Sequence, residues 1–449
     1  MCSSRLSGHV VQCVALELII MAVFCGFLAS AAARPTGIGF VLSSQFQAAA
    51  QNDTPKLAPV VLVPGTGGNQ VYARLTNAYK PGSVLCWSWG DSSFFRLWLS
   101  VLQIVPPFTQ CFAERMKLEY NADTKRFQNA EGVETKVPYF GSTESMEYLD
   151  PALKSVSGYF ANLVSGLKSK GYIVGKTLYG APYDFRYAPG PYAADVAIKY
   201  AENLKNLIET ASGSNEDRSV VVLAHSLGVL WVHYVIHQQP IEWRQKYISR
   251  FITVSGPWGG SVQALLTMAS GNAEGVPLID PLTLRAEQRS SETNLWLLPV
   301  MEVFNSSVLV TTPSRNYTAY DYEDLFHDIG YPEGFGYYKS RIPLLTSSLT
   351  APLIPVTVIF GQGVKTAETL NYKCCGFDHQ PDIGYGDGDG TVPLLSLQAI
   401  SSKWAAVEGQ ITREIRLLNK SHLTLVTDPD AVEVIVGEVL KECSGVLPL

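Results

Sequence analysis

The segment SVVVLAHSLGVLWVHYVI, residues Ser219–Ile236, joins two apolar runs through a short turn of small and polar residues. Five apolar residues precede His225 and Ser226, and a helical pattern resumes directly beyond Gly228. A short apolar run that ends at turn residues is typical of a buried strand. We therefore predict a strand, a sharp turn and a helix here, with Ser226 in the turn.

Similar apolar runs occur on both sides of this segment. They are APVVLVPG (58–65), RFITVSGPWGG (250–260) and IPVTVIFGQG (354–363). Periodicity predicts helices between them, one after the GGNQ turn and one through Tyr159, Leu163 and Leu167. The Gly- and Tyr-rich residues 324–338 indicate an irregular insertion. Strands that alternate with helices favour an α/β fold, with a mostly parallel sheet and helices on both of its faces.

The turn at Ser226 carries a motif for nucleophilic catalysis. A serine hydroxyl is a weak nucleophile at neutral pH, so it needs a neighbouring base, an acid that orients the base, and donors for the oxyanion. The nucleophile elbow of α/β-hydrolases presents such a serine between a strand and a helix, with small residues two positions before and after it. Ala224 and Gly228 stand at those positions, with alanine in place of the usual first glycine. We therefore predict an α/β-hydrolase fold with Ser226 as the nucleophile.

The acid and then the base follow the nucleophile along the chain in this fold. The segment YGDGDGTVP (385–393) offers Asp387 and Asp389 in a tight turn, and spacing alone leaves the choice between them open. A calcium loop of the EF-hand type is the alternative for this segment, but the Glu that closes such a loop is missing. His422 is the only histidine downstream of the turn, so we predict that it is the base.

Two backbone amides are expected to bind the oxyanion. In this fold one belongs to the residue after the nucleophile, here Leu227, and the other to the loop after an early strand. The PGTGG loop that begins at Pro64 offers the second amide, and Thr66 is the expected donor. This chemistry calls for no metal ion, flavin or nicotinamide.

Length, composition and charge set the broad class of protein. The chain has 449 residues, 47% of them apolar, which is enough for a large core. Its formal net charge of -6 argues against nucleic-acid binding, because neutralising phosphates requires an excess of Lys and Arg. Residues 1–33 combine Arg5, an apolar run and small residues, as in a secretory signal peptide; an uncleaved membrane anchor is the alternative. We expect a catalytic domain over residues 58–449 that works in the secretory pathway.

Cysteines and glycosylation motifs fit the same compartment. Removal of the leader would leave five cysteines, of which Cys86 and Cys111 bracket a short segment and are the best-placed pair for a disulfide. The pairing of the others stays open, namely Cys374, Cys375 and Cys443. Acceptor motifs for N-glycosylation occur at Asn52, Asn305, Asn316 and Asn419.

Taken in order, these motifs resemble the lecithin:cholesterol acyltransferase and lysosomal phospholipase A2 family, and most closely its plant members. The resemblance runs from about Pro59 to the C-terminus. It rests on PVVLVPGTGGNQ, the Cys-Trp pair at 86–87, VPYFGSTESMEYLDP, GAPYDFRYAP, AHSLG, SGPWGGS, YGDGDGTV and the final histidine. It implies a nucleophile, acid and base at Ser226, Asp389 and His422, with oxyanion donors at Thr66 and Leu227.

The resemblance also implies that a Cys86–Cys111 disulfide closes the base of a mobile lid, residues 86–111, whose aromatic side chains meet lipid. Those side chains could instead belong to the ordinary core. The chain departs from the family in three respects. Phe185 stands where a Trp is usual, no cysteine closely follows the DGDGTV motif to form a second disulfide, and the lid differs from that of the animal enzymes. The last difference leaves the acyl acceptor open.

A phospholipid O-acyltransferase that works at a membrane surface is the function that the resemblance implies. In this hypothesis Ser226 takes a fatty acyl group from a glycerophospholipid and passes it to a sterol or another lipid alcohol. A phospholipase A, in which water takes the acyl group, is the alternative. A non-catalytic lipid-binding relative is a third hypothesis, against which the complete set of triad residues argues. The choice between the first two depends on how well the lid and the pocket exclude water.

Overall fold

The computed structural model describes residues 57–87, 92–273, 276, 278–341, 344, 349–374 and 376–441. The predicted signal peptide at 1–33 lies outside this part of the chain, and so do Asn52, Cys375 and Cys443. Within the described residues, no helix combines the length and the apolar character that crossing a membrane requires.

The strands and helices alternate for much of the chain. The strands are β1 (Val60–Val63), β2 (Val71–Leu75), β3 (Phe95–Trp98), β4 (Leu118–Asn121), β5 (Arg126–Asn129), β6 (Val133–Lys136), β7 (Leu178–Gly180), β8 (Val220–His225), β9 (Ile248–Val254), β10 (Val310–Thr311), β11 (Asn316–Tyr317), β12 (Val356–Gln362), β13 (Thr366–Asn371), β14 (Asp382–Gly386) and β15 (Thr412–Leu418). The α-helices are α1 (Val101–Ile104), α2 (Thr109–Met116), α3 (Glu144–Glu147), α4 (Lys154–Ser157), α5 (Ala161–Ser169), α6 (Asp195–Gly213), α7 (Leu227–His237), α8 (Ile241–Tyr247), α9 (Val262–Ser270), α10 (Pro281–Ser290), α11 (Glu292–Trp296), α12 (Met301–Phe304), α13 (Tyr322–Asp328), α14 (Pro332–Lys339), α15 (Leu394–Leu397), α16 (Ser401–Ala405), α17 (Thr424–Thr427) and α18 (Pro429–Leu440).

The central sheet has six strands in the order β7-β1-β8-β9-β12-β15, and every neighbouring pair is parallel. All six residues of β8 are buried. Alternate β8 side chains belong to two separate hydrophobic clusters, with Val222 and Ala224 in one and Val221 and Leu223 in the other. A strand buried on both faces reads as a continuous apolar run, which is why the sequence revealed it. The prediction of a parallel α/β-hydrolase sheet is confirmed.

Helices cover both faces of this sheet. On one face, α7 follows β8 directly and contributes Leu230 and Trp231 to the larger hydrophobic cluster. On the other face, α5 contributes Leu163 and α18 contributes Ile435 to the smaller cluster. Helices α5 and α18 each bury an apolar stripe against the sheet, whereas α7 is buried around most of its circumference.

Two local predictions are wrong. The residues after the GGNQ turn form β2 and not a helix, because β2 pairs in antiparallel fashion with β3 and β6. Residues 324–338 are not irregular, since they form most of α13 and α14. Aromatic side chains of these two helices pack against one another: Tyr322 meets Phe326 and Tyr338 edge to face, and Phe326 lies nearly parallel to Tyr338. The glycines between them obscured the helical period.

The carboxyl ends of the central strands meet at one edge of the sheet, where ligands of open α/β sheets bind. The loop at 64–68 follows β1, Ser226 follows β8, and the loop that carries His422 follows β15. Asp389 reaches the same edge through a backbone bridge to Val364, two residues beyond β12. The predicted site residues therefore converge although they are far apart in the chain.

Candidate active site

Ser226 occupies a strained turn between β8 and α7. Its backbone has φ 55° and ψ -130°, a left-handed conformation that is costly for a residue with a side chain. Its N–H donates to the Val254 carbonyl at 2.9 Å, which holds the turn in place. A Cβ atom added at Gly228 would lie 2.3 Å from the Pro64 oxygen, and one at Gly65 would lie 2.6 Å from the Ser226 Cβ. Both glycines are therefore needed for the close approach of the β1 loop to the turn.

The hydroxyl of Ser226 is in hydrogen-bond contact with His422. The distance from Ser226 Oγ to His422 Nε2 is 2.8 Å, and the distance from His422 Nδ1 to Asp389 Oδ2 is 2.7 Å. The His422 N–H also donates to the Asp389 carbonyl at 2.6 Å, so backbone and side chain are both held. A histidine placed between a hydroxyl and a carboxylate in this way can accept the hydroxyl proton while the carboxylate stabilises the imidazolium.

Asp389 is a buried carboxylate with several hydrogen-bond donors. Its Oδ1 accepts from the backbone N–H groups of Thr391 at 3.0 Å and Val392 at 2.8 Å, and its Oδ2 faces the His422 ring. Burial alone would raise the pKa of Asp389, but the charge and hydrogen bond of His422 and the Val392 amide hold it below its ordinary value. The carboxylate therefore stays ionised beside the histidine.

Asp387, the other carboxylate of the turn, has different partners. Its Oδ1 accepts from the N–H groups of Gly363 and Gly388, both at 2.7 Å, and its Oδ2 accepts from Gln362 Nε2 at 3.1 Å. These contacts fasten the turn to the end of β12. The geometry thus places Asp389, and not Asp387, against His422. Both carboxylates are committed to N–H donors, which does not suit the calcium-loop alternative.

The two predicted oxyanion donors belong to the two segments next to Ser226, the first turn of α7 and the loop after β1. Leu227 is the first residue of α7, and N–H groups in the first turn of a helix have no acceptor within the helix. Thr66 is exposed in a turn that the Gly68 N–H closes by donating to the Gly65 carbonyl at 3.0 Å. Helix N-termini and such turns favour bound anions. The arrangement suits an oxygen that gains negative charge next to Ser226.

A cavity of about 500 Å³ opens next to Ser226 and His422. Its wall is mainly apolar and includes Trp98, Ile104, Phe112, Met116, Ala264, Val276, Leu284 and Leu297. The Trp98 indole N–H donates to the Gly67 carbonyl at 2.7 Å, so the segment 86–111 is tied to the turn that carries Thr66. Pockets of this size and character bind apolar ligands with a few polar groups to orient them.

The cysteine and aromatic predictions for residues 86–111 have mixed outcomes. Cys86 and Cys111 form a disulfide with Cα atoms 5.1 Å apart. The aromatic side chains differ in their surroundings, because Trp98 lines the cavity, Phe94 and Phe95 are half-buried, and Trp87 and Phe108 are exposed. Neither the core interpretation nor the surface interpretation therefore applies to all of them. Trp89 lies outside the described residues.

Two other histidines, His225 and His233, have hydrogen-bond partners within the fold. His233 is buried between Trp258 and Trp404, and its Nε2 lies 2.8 Å from the Thr350 carbonyl. His225 directly precedes Ser226, and its ring contacts Tyr159 Oη at 2.6 Å and the His422 carbonyl at 3.0 Å. Tyr159 was predicted to lie in a helix, but it precedes α5. No motif in the sequence links these two residues.

Comparisons with known proteins show which family this chain is similar to. The profile of the lecithin:cholesterol acyltransferase family matches residues 94–340. The Lecithin-cholesterol acyltransferase-like 1 of Arabidopsis thaliana is 44% identical over 414 residues, which cover 90% of this chain and 92% of that protein. The Lysosomal phospholipase A and acyltransferase of Canis lupus familiaris is 38% identical over 344 residues, which cover 75% of this chain and 81% of that protein.

A solved structure shares the fold at low sequence identity. The crystal structure of the Tle4-Tli4 complex aligns with a TM-score of 0.52 and 12% identity, covering 86% of this chain and 98% of that chain. At this identity the likeness concerns the fold alone.

Proposed function

This chain belongs to the lecithin:cholesterol acyltransferase family, and we propose that it transfers a fatty acyl group from a glycerophospholipid to a lipid alcohol through an acyl-serine intermediate. The observation that carries the proposal is the contact series from Ser226 through His422 to Asp389, with distances of 2.8 Å and 2.7 Å, beside an apolar cavity. The names of two relatives, one an acyltransferase and one a phospholipase A and acyltransferase, support the same substrate class.

The first half of the reaction forms the acyl-enzyme. His422 Nε2 takes the proton of Ser226 as its Oγ attacks the ester carbonyl carbon, and the resulting oxyanion accepts hydrogen bonds from the amides of Thr66 and Leu227. The bond between that carbon and the glycerol oxygen then breaks, and His422 returns the proton to this oxygen. A lysophospholipid leaves, and the acyl group stays on Ser226 with Asp389 stabilising the imidazolium at each transfer.

The second half repeats these steps with a new hydroxyl group. His422 deprotonates the hydroxyl of the acceptor, which attacks the acyl-serine, and the ester product leaves as the proton returns to Ser226. A sterol or another lipid alcohol as acceptor makes the enzyme a transferase. Water as acceptor makes it a phospholipase A, an activity that the name of the canine relative also includes.

A lid patch is proposed to place the site at the membrane surface. We define the lid patch as the exposed apolar side chains around the Cys86–Cys111 disulfide, namely Val84, Leu85, Trp87, Leu102 and Phe108, which are 45–87% exposed. Apolar groups clustered on a soluble surface commonly mark an interaction site. The same segment supplies Trp98 and Ile104 to the cavity wall, so docking the patch on lipid would bring phospholipid to the cavity entrance.

We also propose that the protein enters the secretory pathway. A predicted signal peptide, a lid disulfide between Cys86 and Cys111, and sequons at exposed Asn305, Asn316 and Asn419 support passage through the secretory pathway. Release of residues 1–33, detected as a new N-terminus by sequencing of the purified protein, is the expected result. An intact leader in a membrane-bound product would favour an anchor instead.

Vesicles of acyl-labelled phosphatidylcholine with sterol provide the test of the function. The purified mature chain is expected to produce labelled sterol ester together with lysophospholipid, and Ser226→Ala is expected to produce neither. Labelled free fatty acid in place of ester would make the protein a phospholipase A. Undiminished product from Ser226→Ala would contradict the serine mechanism, since losing the nucleophile costs about 10⁶-fold in a comparable triad.

A further inference from the structure

A continuous series of hydrogen bonds joins the oxyanion turn to the back of His422. Tyr159 precedes α5, and its Oη accepts from the Gly65 N–H at 2.9 Å. The same Oη lies 2.6 Å from His225 Nδ1. His225 Nε2, on the opposite side of its ring, lies 3.0 Å from the carbonyl oxygen of His422. The series therefore runs from the β1 loop, through two side chains, to the loop after β15.

Only one direction of donation satisfies every group in this series. Burial, followed by the positive charge that His422 can carry, lowers the pKa of His225 to about 3, so its ring is neutral and has one N–H. The His422 carbonyl can only accept, which places that hydrogen on Nε2. Nδ1 must then accept the Tyr159 hydroxyl proton, and the lone pairs of Oη remain for the Gly65 N–H.

Packing leaves the two side chains little freedom to choose other partners. Tyr159 and His225 are 5% and 2% exposed, and the Tyr159 ring stacks on Phe160 with centroids 4.3 Å apart. A Cβ atom added at Gly68 would lie 2.7 Å from the Tyr159 ring, so the turn packs directly on the tyrosine. The series is therefore a rigid support and not a set of alternative contacts.

Both ends of this support lie next to groups that act in the proposed reaction. Gly65 directly precedes Thr66, whose amide is a proposed oxyanion donor. At the other end, the His422 carbonyl is held by His225 while the His422 N–H is held by the Asp389 carbonyl. The backbone of His422 is thus held on both sides, and its ring lies between Ser226 Oγ and the Asp389 carboxylate.

We propose that Tyr159 and His225 are positioning residues that couple the oxyanion turn to the catalytic base. The inference rests on the proposed function of Ser226 and His422 and adds to it. Tyr159 and His225 take no proton from the substrate. They hold the Thr66 amide and the His422 ring in one fixed relation, which matters because misplacing reacting groups by about 1 Å can cost 10²-fold in rate.

Tyr159→Phe tests the coupling by removing one hydroxyl and keeping the ring. On a soluble p-nitrophenyl ester, kcat is expected to fall about ten- to a hundredfold while KM changes less than about twofold, because the ester still fits the cavity. Prolonged labelling with a fluorophosphonate measures the concentration of active sites. Dividing the rate by that concentration leaves misfolded molecules out of kcat. The matched control is Tyr322→Phe, which removes a buried hydroxyl that donates to the Pro299 carbonyl at 2.7 Å and should leave kcat unchanged.

Variants of His225 provide a rescue test. His225→Gln keeps an N–H that can reach the His422 carbonyl, whereas His225→Leu has none. We expect the Gln variant to retain about tenfold more kcat than the Leu variant. Combining Tyr159→Phe with His225→Leu should lower kcat little further than His225→Leu alone, since residues of one series act non-additively.

Two results would overturn the inference. One is wild-type kcat in Tyr159→Phe, and the other is fully additive losses in the double variant. Should His225→Leu not fold, Tyr159→Phe beside its Tyr322→Phe control still decides the question. Ser226→Ala is assayed in parallel, because activity in that variant would refute the proposed function itself, whereas an inactive Ser226→Ala beside a fully active Tyr159→Phe refutes only the coupling.

Discussion

Replacing Asp389 by Asn should reverse the hydrogen-bond direction at His422. Oδ1 accepts from two backbone amides, at Thr391 and Val392, so the amide oxygen of Asn is expected to keep that place. The amide NH₂ would then face His422 Nδ1, which must become an acceptor, and the ring hydrogen would move to Nε2. In that tautomer Nε2 cannot take the proton of Ser226.

The expected cost is large because the base is disabled while the site keeps its shape. The corresponding change in a Ser-His-Asp protease lowers kcat about 10⁴-fold, which corresponds to about 5 kcal/mol of transition-state stabilisation. Asp387→Asn is the matched control, two residues away in the same turn. Its amide oxygen can still accept from Gly363 and Gly388, so kcat should fall less than about threefold and the free energy of unfolding by about 1 kcal/mol.

The assay is steady-state hydrolysis of a soluble p-nitrophenyl ester, with active sites counted and folding checked by denaturant titration. Asp389→Asn with more than a tenth of the parent kcat would refute the tautomer argument. A loss of about 10⁴-fold in Asp387→Asn, with a normal free energy of unfolding, would show that the wrong carboxylate had been assigned.

Three further perturbations test the site, the stability and the lid. Gly65→Ala should lower kcat at least about a hundredfold, since its Cβ would lie 2.6 Å from the Ser226 Cβ. The control Gly336→Ala has open space around the added Cβ and should leave kcat unchanged. Equal kcat in the two variants would contradict the packing argument. Burial lowers the pKa of His233 to about 3, so below pH 6.5 the histidine binds a proton in the unfolded chain but not in the folded one, and the free energy of unfolding falls with pH. His233→Gln removes this effect, so between pH 7 and pH 5 its free energy of unfolding should fall by about 2 kcal/mol less than that of the parent. Parallel pH curves for the two proteins would refute this. Trp87→Ser should reduce turnover on phospholipid vesicles several-fold and leave soluble-ester turnover unchanged, and equal loss on both would argue against a membrane role for the lid patch.

The parts of the fold that were predictable carry local signals. Strand β8 is buried on both faces, so its sequence is a continuous apolar run, and Ser226 follows it in a motif of small residues. The position of His422 next to Ser226 was predictable because the chain order of this fold calls for a histidine after the acid, and the sequence has one there. These signals need no knowledge of distant contacts.

The parts that were not predictable depend on tertiary contacts. Asp387 and Asp389 lie in one turn, and which of them meets His422 is decided by how the turn bonds to the end of β12. β2 is a strand because β3 and β6 pair with it. Tyr159 meets His225 although 66 positions separate them, and nothing in either local sequence indicates that contact.

Direct detection of the acyl-enzyme tests the central claim. The protein is mixed with phosphatidylcholine vesicles, quenched in acid within the first turnovers, digested and analysed by mass spectrometry. The proposed mechanism predicts one fatty acyl group on the tryptic peptide 219–244, located at Ser226, and its absence in Ser226→Ala. Continued turnover without an acylated peptide, or an acyl group on a different residue, would contradict it.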